Sequence, residues 1–395
     1  MCIRDRYNTL PDLPDRYPFH QPIEQITFFD IETTGLSPKT SSIYLIGAMH
    51  YDISSNHWQL TQWFADDYQS EAKILNAFLT YLEAFTFLYH FNGCTFDLPF
   101  VLEKCKKHDI IPSKKISSVF SNMISGHQND NCPGNIDLLR EIRPFKKKLG
   151  LRKANQSFLE QWTGLKRQDI YNGGQLIKVY SEYMQQNILK KAKAEQLEKL
   201  LLLHNHDDIA GMLHVCSMLV YKDLFAPSKP LSASCSELTK NKIAITIPLR
   251  FPHKSTLKHT FNNTASSTLS LPDATLHLDK DHAVLTLPLY SGTLKYFFPD
   301  YKDYYYLPQE DTAIHKSVAQ FVDASFRKKA TAASCYTKKE GIFLPSLSPK
   351  EPVTKQPSFY YTYRSNPAFY ELPWGDTEKL HSLITDYCTQ ELGCF

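Results

Sequence analysis

Nowhere in the chain do about 18 apolar residues run together, the length a membrane-spanning helix needs. The stretch Met1 to Phe19 also lacks the apolar core of a signal peptide. Neither a membrane partner nor export is expected. The nine cysteines are an odd number and include no Cys-x-x-Cys pair. That argues against a disulfide framework, a disulfide-linked partner and a structural zinc site, and it fits a reducing, cytoplasmic setting. Charge of one sign is missing too. The 44 basic and 41 acidic residues leave a net charge of +3, so any nucleic-acid surface has to be a local patch. No Gly-rich dinucleotide fingerprint or P-loop is present, which disfavours nucleotide-cofactor enzymes.

What is there is enough for two cores. A chain of 395 residues with 42% hydrophobic content exceeds one ordinary domain. Residues 1–22 read as an N-terminal tail, with Met1 to Tyr7 matching nothing around them in pattern. A first domain then spans 23–225. Pro227 and Pro230 among serines mark a linker over 226–236, and 237–395 form a second domain.

The first domain opens on Ile26-Thr-Phe-Phe-Asp-Ile-Glu-Thr-Thr-Gly-Leu36, an apolar run ending in two carboxylates one residue apart. Side chains alternate across a strand, so Asp30 and Glu32 share one face while Phe29 and Ile31 point into the core. Neighbouring carboxylates repel unless a positive charge lies between them. Oxygen ligands suit magnesium or manganese, and the pair reads as a candidate metal site or as a solvated strand face.

Ser42–Tyr51 and His57–Ala65 continue as strands of an antiparallel meander. Glu71–Phe85 spaces Ile74, Leu75, Phe78, Leu79 and Leu82 as an amphipathic helix, and Phe87–Phe91 is a further buried strand. From there a Gly-containing turn leads into a helix at Pro99. Asp97 stands at that junction, either as an N-cap or as a group presented at the carboxyl edge of a strand. The pattern predicts a mixed α/β domain.

Ile110–Gly134 is polar and aperiodic and reads as a loop. Asn135–Leu139 is a candidate fifth strand whose Asp137 either orders the site or caps the next segment of chain. The cluster from Arg140 to Lys148, with Arg152 and Lys153, interleaves Phe145 and Leu149. It suits a phosphate backbone or a solvated helix end equally. Helices come next over Gln156–Tyr171, broken at Gly164, over Gln175–Tyr183, and over Ala192–Tyr221. On the last, His204 and Asp208 are four apart and share a face, as an ion pair or as functional groups.

In combination, Asp-Ile-Glu-Thr-Thr-Gly on a strand, Asn-Gly-x-x-Phe-Asp before a helix, and a final Asp on a late helix resemble the DEDD-type 3′–5′ exonucleases of the ribonuclease H-like superfamily. Within it the chain looks most like the YprB-like group, which Asp137-Leu138-Leu139 and Gly164 to Ile170 also resemble. The likeness covers roughly residues 23 to 222. It implies a ribonuclease H-like mixed sheet, three antiparallel strands followed by helix-strand units, flanked by helices.

It further implies hydrolysis of phosphodiesters at a single-stranded 3′ end of DNA or RNA to nucleoside 5′-monophosphates, with two Mg²⁺ or Mn²⁺ ions. Asp30, Glu32, Asp97 and Asp208 would be the metal ligands. Thr33, Gly35, Leu36, Asn92, Phe96, Asp137 and Arg167 would contact substrate. One position departs from the family: the spacing before Asp208 is that of members with a tyrosine, but the residue is His204. His204 is the candidate general base, and His206 and Asp207 point to other faces. A non-catalytic nucleic-acid-binding module and a phosphodiesterase acting on short oligonucleotides are the competing readings.

The second domain reads as a β-rich α+β unit. Lys242–Phe251, Ser267–Leu271, Ala274–Leu278 and His282–Leu289 are predicted strands, and Thr312–Ala330 is a predicted helix. Cys335–Leu344 and Ser358–Leu372 are predicted as strands, and Thr377–Gln390 as the closing helix. Tyrosines among Lys295, Lys302, Lys338 and Lys339 form either a stacking surface for single strands or core and rim. No catalytic constellation stands out in this half.

Overall fold

The computed structural model describes residues 2–6, 19–121, 134–167, 171, 173–249, 257–261, 274–279, 281–348 and 356–394. Two compact units divide it, Met1–Leu219 and Val220–Phe395.

The first unit is built on a six-stranded mixed sheet. Its strands are β1 (Cys2–Arg6), β2 (Ile26–Thr33), β3 (Ile43–Asp52), β4 (His57–Phe64), then helix α1 (Glu71–Leu82), β5 (Phe87–His90), helices α2 (Asp97–Lys107) and α3 (Lys114–Ser121), and β6 (Asn135–Asp137). The spatial order is β1-β4-β3-β2-β5-β6. β2 to β4 form the antiparallel meander, and β5 and β6 run parallel to β2, as helical crossovers require. The segment expected as a tail contributes β1, which pairs antiparallel along the otherwise open edge of β4.

β2 is buried along its whole length except at Asp30, as a strand covered on both faces should be. On one side α1 inserts Ile74, Leu75, Phe78 and Leu79, with Phe78 stacked on Phe29 at 5.3 Å. The remaining helices are α4 (Leu138–Ile142), α5 (Gln156–Trp162), α6 (Gly173–Leu189) and α7 (Lys191–Cys216). The last of these packs on β2 and β3.

Where a loop was expected over 110–134, α3 forms instead. Ile116 and Phe120, four apart, are both buried and anchor it, while the serines and lysines around them hid that spacing. Residues 122–133 lie outside the described set.

The second unit opens with α8 (Val220–Phe225). Strands β7 (Ser234–Leu238), β8 (Lys242–Pro248), β9 (Leu257–Phe261), β10 (Ala274–Leu278) and β11 (His282–Pro288) form an antiparallel sheet in the order β7-β8-β11-β10-β9. The strand expected over Ser267–Leu271 lies outside the described residues. β12 (Tyr290–Phe297) is next, then β13 (Tyr304–Leu307), β14 (Thr312–His315), the one-turn helix α9 (Lys316–Ala319) and β15 (Lys328–Lys329).

The helix expected over Thr312–Ala330 is therefore absent. Residues at its start pair with β13 instead, and Val318, Phe321 and Phe326 are exposed, so a helical apolar face had no core to meet. β16 (Tyr336–Pro345) pairs with β12. The long strand expected over Ser358–Leu372 is two short ones, β17 (Ser358–Phe359) and β18 (Phe369–Glu371). Helix α10 (Thr377–Glu391) closes the unit, capped by Asp376. No helix among the described residues is long and apolar enough to cross a membrane.

Candidate active site

The sheet delivers Asp30 and Glu32 at the carboxyl end of β2, where the ladder with β3 shifts register between Glu32 and Thr33. The turn beyond them is locked by its own hydroxyls. Thr33 Oγ1 donates to the Gly35 carbonyl at 2.7 Å, and Thr34 Oγ1 accepts from the Ser42 amide at 2.8 Å. Leu36, next along, is 82% exposed.

The turn after β5 brings in the third carboxylate. Asp97 is the first residue of α2, and its Oδ1 accepts the Ile31 N–H at 3.3 Å. That amide lies between Asp30 and Glu32 in the chain, so the Asp97 carboxylate sits alongside the pair. Phe96 precedes it and packs on Phe100, ring centroids 4.9 Å apart.

Helix α7 supplies the rest. His204 Nε2 lies 3.2 Å from Asp208 Oδ2 and 3.6 Å from Glu32 Oε1. Ligand atoms of Glu32, His204 and Asp208 all lie within 4.8 Å of one another. On its other side Asp208 Oδ1 meets Arg167 Nη2 at 2.6 Å. Arg167 is held in turn by the buried Glu160 of α5, whose Oε1 accepts from Nη2 at 2.8 Å. Gly164, at φ +91°, turns the chain after α5 so that residue 167 can return to residue 160.

The electrostatics divide the cluster. Burial raises the Asp30 carboxyl well above the usual range, and repulsion from Asp208, Asp97 and Glu32 adds to it. Burial likewise pushes Asp97 up to about 7. Asp208 goes the other way: burial raises it, but His204 and Arg167 outweigh burial and hold it below its ordinary value. Asp30 and Asp97 thus lack a positive neighbour that Asp208 has.

A second cluster, His90, Cys94 and Asp137, stands behind the turn that carries Asp97. Its lone pairs are already used. Asp137 Oδ1 accepts from Asn92 N at 2.9 Å and Leu139 N at 3.1 Å, and His90 Nδ1 accepts from Gly93 N at 3.1 Å. His90 Nε2 meets Asn135 Oδ1, so the imidazole is neutral with its proton on Nε2, in keeping with burial lowering its pKa. Asp137 therefore caps α4 and also fixes the turn ahead of α2. Asn92, in the left-handed region at φ +61°, is part of that turn.

The structure thus brings together Asp30, Glu32, Asp97, His204, Asp208 and Arg167. Asn92 and Asp137 sit in the supporting turn, Phe96 packs inward, and Leu36 points outward. In the basic cluster Phe145 and Leu149 are buried, which leaves the charges of Arg143 and Lys147 exposed without an open aromatic ring between them. His206 pairs with Asp207 at 3.0 Å.

Three residues escape the sequence reading. Asn205 donates to Asp30, Glu160 holds Arg167, and Tyr44 lies close enough to Glu32 for that carboxylate, after burial, to raise its pKa. For Asn205, its place between His204 and Asp208 in an apolar run was the available signal. Glu160 and Tyr44 carried none.

Residues 27–220 match the RNase_H_2 family model, described as RNase_H superfamily. No curated relative matches the chain. Among solved structures it is similar to the family B DNA polymerase from the hyperthermophilic archaeon Pyrobaculum calidifontis (12% identity, 89% of this chain and 40% of that one, TM-score 0.38). It is also similar to the zinc-bound E. coli ExoI–ssDNA complex (12% identity, 62% of this chain and 55% of that one, TM-score 0.27). A further exonuclease I structure shares 15% identity over 66% of this chain and 64% of that one, TM-score 0.26. The chain thus spans less than two thirds of the length of each, and none of the three superpositions is close enough to bear on activity. Residues 27–220, just under half of the chain, are thus similar to the ribonuclease H superfamily, and the mixed sheet with its flanking helices is the part of the fold on which that likeness falls.

Proposed function

We propose that the first unit is a metal-dependent 3′–5′ exonuclease that shortens single-stranded DNA or RNA and releases nucleoside 5′-monophosphates. One observation carries the reading: Asp30, Glu32, Asp97 and Asp208 converge from β2, α2 and α7, and the raised pKa values of Asp30 and Asp97 mark a cluster short of positive charge. An all-carboxylate oxygen donor set of this kind suits hard divalent cations. Asp30, Glu32, Asp97 and Asp208 would hold the Mg²⁺ or Mn²⁺ ions. Bound there, the ions supply Lewis-acid stabilisation of the attacking and leaving oxygens of an in-line displacement at phosphorus.

The chain's own groups do the rest. His204 Nε2 lies between Glu32 and Asp208 on the face of α7 that meets the carboxylates, and once cations engage those carboxylates its freed Nε2 would take the proton of the attacking water. Arg167 keeps Asp208 ionised and offers a fixed positive charge to the substrate phosphate. The locked Thr33 to Gly35 turn borders the same end of the sheet and contacts the terminal nucleotide.

The test is incubation of the full chain with 5′-labelled single-stranded DNA and RNA in Mg²⁺ or Mn²⁺. Stepwise shortening from the 3′ end, with nucleoside 5′-monophosphates as products and arrest by chelator, is expected. Binding without cleavage of either polymer would overturn the reading in favour of a non-catalytic module, and cleavage of dinucleotides alone in favour of a small-substrate phosphodiesterase.

A further inference from the structure

Asp30, Gly47 and Gln62 form one row across three strands: Asp30 pairs with Gly47 between β2 and β3, and Gly47 pairs with Gln62 between β3 and β4. Asn205 of α7, with no exposed surface, lies over that row. A side chain at 47 would collide with Asn205 Oδ1 and with Ile209 Cδ1, so the glycine makes the room in which the asparagine reaches both neighbours. Asn205 Nδ2 donates to Asp30 Oδ2 at 3.0 Å and approaches the Asp30 carbonyl at 3.4 Å. Its Oδ1 accepts from Gln62 Nε2 at 2.9 Å, and the same Nε2 donates to the Leu202 carbonyl at 2.8 Å.

The direction of this relay is settled by its ends. The Leu202 carbonyl can only accept, so the Gln62 end that faces it must be its NH₂ group. That NH₂ also faces Asn205, so Asn205 turns its oxygen to Gln62 and its own NH₂ to Asp30. The carboxylate and the carbonyl at Asp30 are both acceptors, and the chain of polarity closes without conflict. Turning either amide over would set oxygen against oxygen at one end of the row, a buried mismatch.

We propose that Asn205, oriented by Gln62, is a positioning residue that fixes the Asp30 carboxylate for cation binding. The inference rests on the metal-site reading above. Asp30 stands among Asp97, Glu32 and Asp208, which repel it. A donor behind one of its oxygens holds the group in a single orientation and leaves the other oxygen for a cation. Partners of this kind, one shell out from a metal ligand, typically change metal affinity about 10–100-fold when removed. Were Asn205 only a link between helix and sheet, its loss would lower stability and leave the cation affinity of the folded protein alone.

The full chain is compared with Asn205→Leu, which keeps the volume and removes the donor, and with Gln62→Met, which keeps Asn205 and frees it to turn. Mn²⁺ affinity is read from the electron paramagnetic resonance of the free ion. Melting temperature is monitored with and without Mn²⁺, and cleavage of a labelled strand is measured across a Mn²⁺ series. For Asn205→Leu a loss of Mn²⁺ affinity of about 10–100-fold is expected, with the activation midpoint moved by the same factor. Gln62→Met gives a smaller loss in the same direction. Wild-type Mn²⁺ affinity in folded Asn205→Leu overturns the proposal. Should that variant not fold, unchanged affinity in Gln62→Met overturns it instead. A wild-type chain that binds Mn²⁺ and cuts nothing refutes the nuclease reading, while the affinities of the variants still decide this one. A wild-type chain that does not bind Mn²⁺ refutes both.

Discussion

Each unit encloses a carboxylate, Asp30 half-buried in the first and Glu391 fully buried in the second, and the two are treated in opposite ways. In the second unit Glu391 is fully buried and surrounded by donors: Tyr370 Oη at 2.6 Å, Leu347 N at 2.7 Å, Ser348 N at 2.9 Å and Ser346 Oγ at 3.0 Å. In the first unit Asp30 has the Asn205 amide as donor and three other carboxylates as neighbours. On the proposed reading, the difference separates a charge kept for structure from one kept for chemistry. A saturated carboxylate stabilises the fold that satisfies it; a crowded one stores repulsion that a cation can relieve.

The comparison is broken most severely at Asp30. Asp30→Ala should lower metal-dependent cleavage by roughly a thousandfold or more. Its metal-free melting temperature should fall less than that of Glu391→Ala, because the deleted group was repelled by its surroundings. Turnover near the wild-type rate would remove Asp30 from the site.

Glu391→Ala should do the reverse. It leaves the Tyr370 and Ser346 hydroxyls and two half-buried backbone amides without that acceptor, at a cost of roughly 3 kcal/mol in chemical denaturation, with the cleavage rate of the folded protein unchanged. A stability loss smaller than that of Asp30→Ala would erase the contrast.

Titration sharpens it further. Asp97 is raised from 3.8 to about 7 by burial, so its contribution to stability is fully present below about pH 4 and is lost as pH rises through about 7. Melting temperature of the metal-free protein should therefore fall over that window more steeply in wild type than in Asp97→Asn. Saturating Mn²⁺, which binds the ionised form, should flatten the slope. Identical profiles for the two proteins would show that the burial of Asp97 has no energetic consequence.

The smallest effect is expected at Lys339. It pairs with Glu371 at 2.7 Å with about half of its side chain in solvent, and Lys339→Gln should shift stability by less than about 1 kcal/mol. A larger change would mean that the exposed charges of the second unit carry more than solubility.

Legibility in the sequence tracked how local the determining contacts are. The strand at Ile26–Thr33 and the helix from Glu71 declared themselves through period and apolar spacing, since each buries a face set by its own residues. Asp30, Glu32, Asp97 and Asp208 were legible as candidates because each sits where an element begins, ends or breaks an apolar run. Glu160 was not: it reads as an ordinary charge on a short helix, and its meaning comes from Arg167, seven residues on, and from Asp208, contributed by another helix. The second unit was harder for the same reason. The stretch from Thr312 has helical spacing, but β13 offered it a ladder and nothing offered its apolar face a core, so pairing won over propensity.

Gly47 has a consequence for how such a sequence can change over time. A glycine inside a strand is ordinarily open to replacement by any β-branched residue, with a gain in strand propensity. Here that route is closed while asparagine occupies 205, because the first carbon added at 47 meets the Asn205 amide and Ile209 together. Conversely, a smaller residue at 205 would leave an empty space above a glycine that could then be filled. The two positions are therefore sterically coupled, and a lineage that altered one would be expected to carry a compensating change at the other.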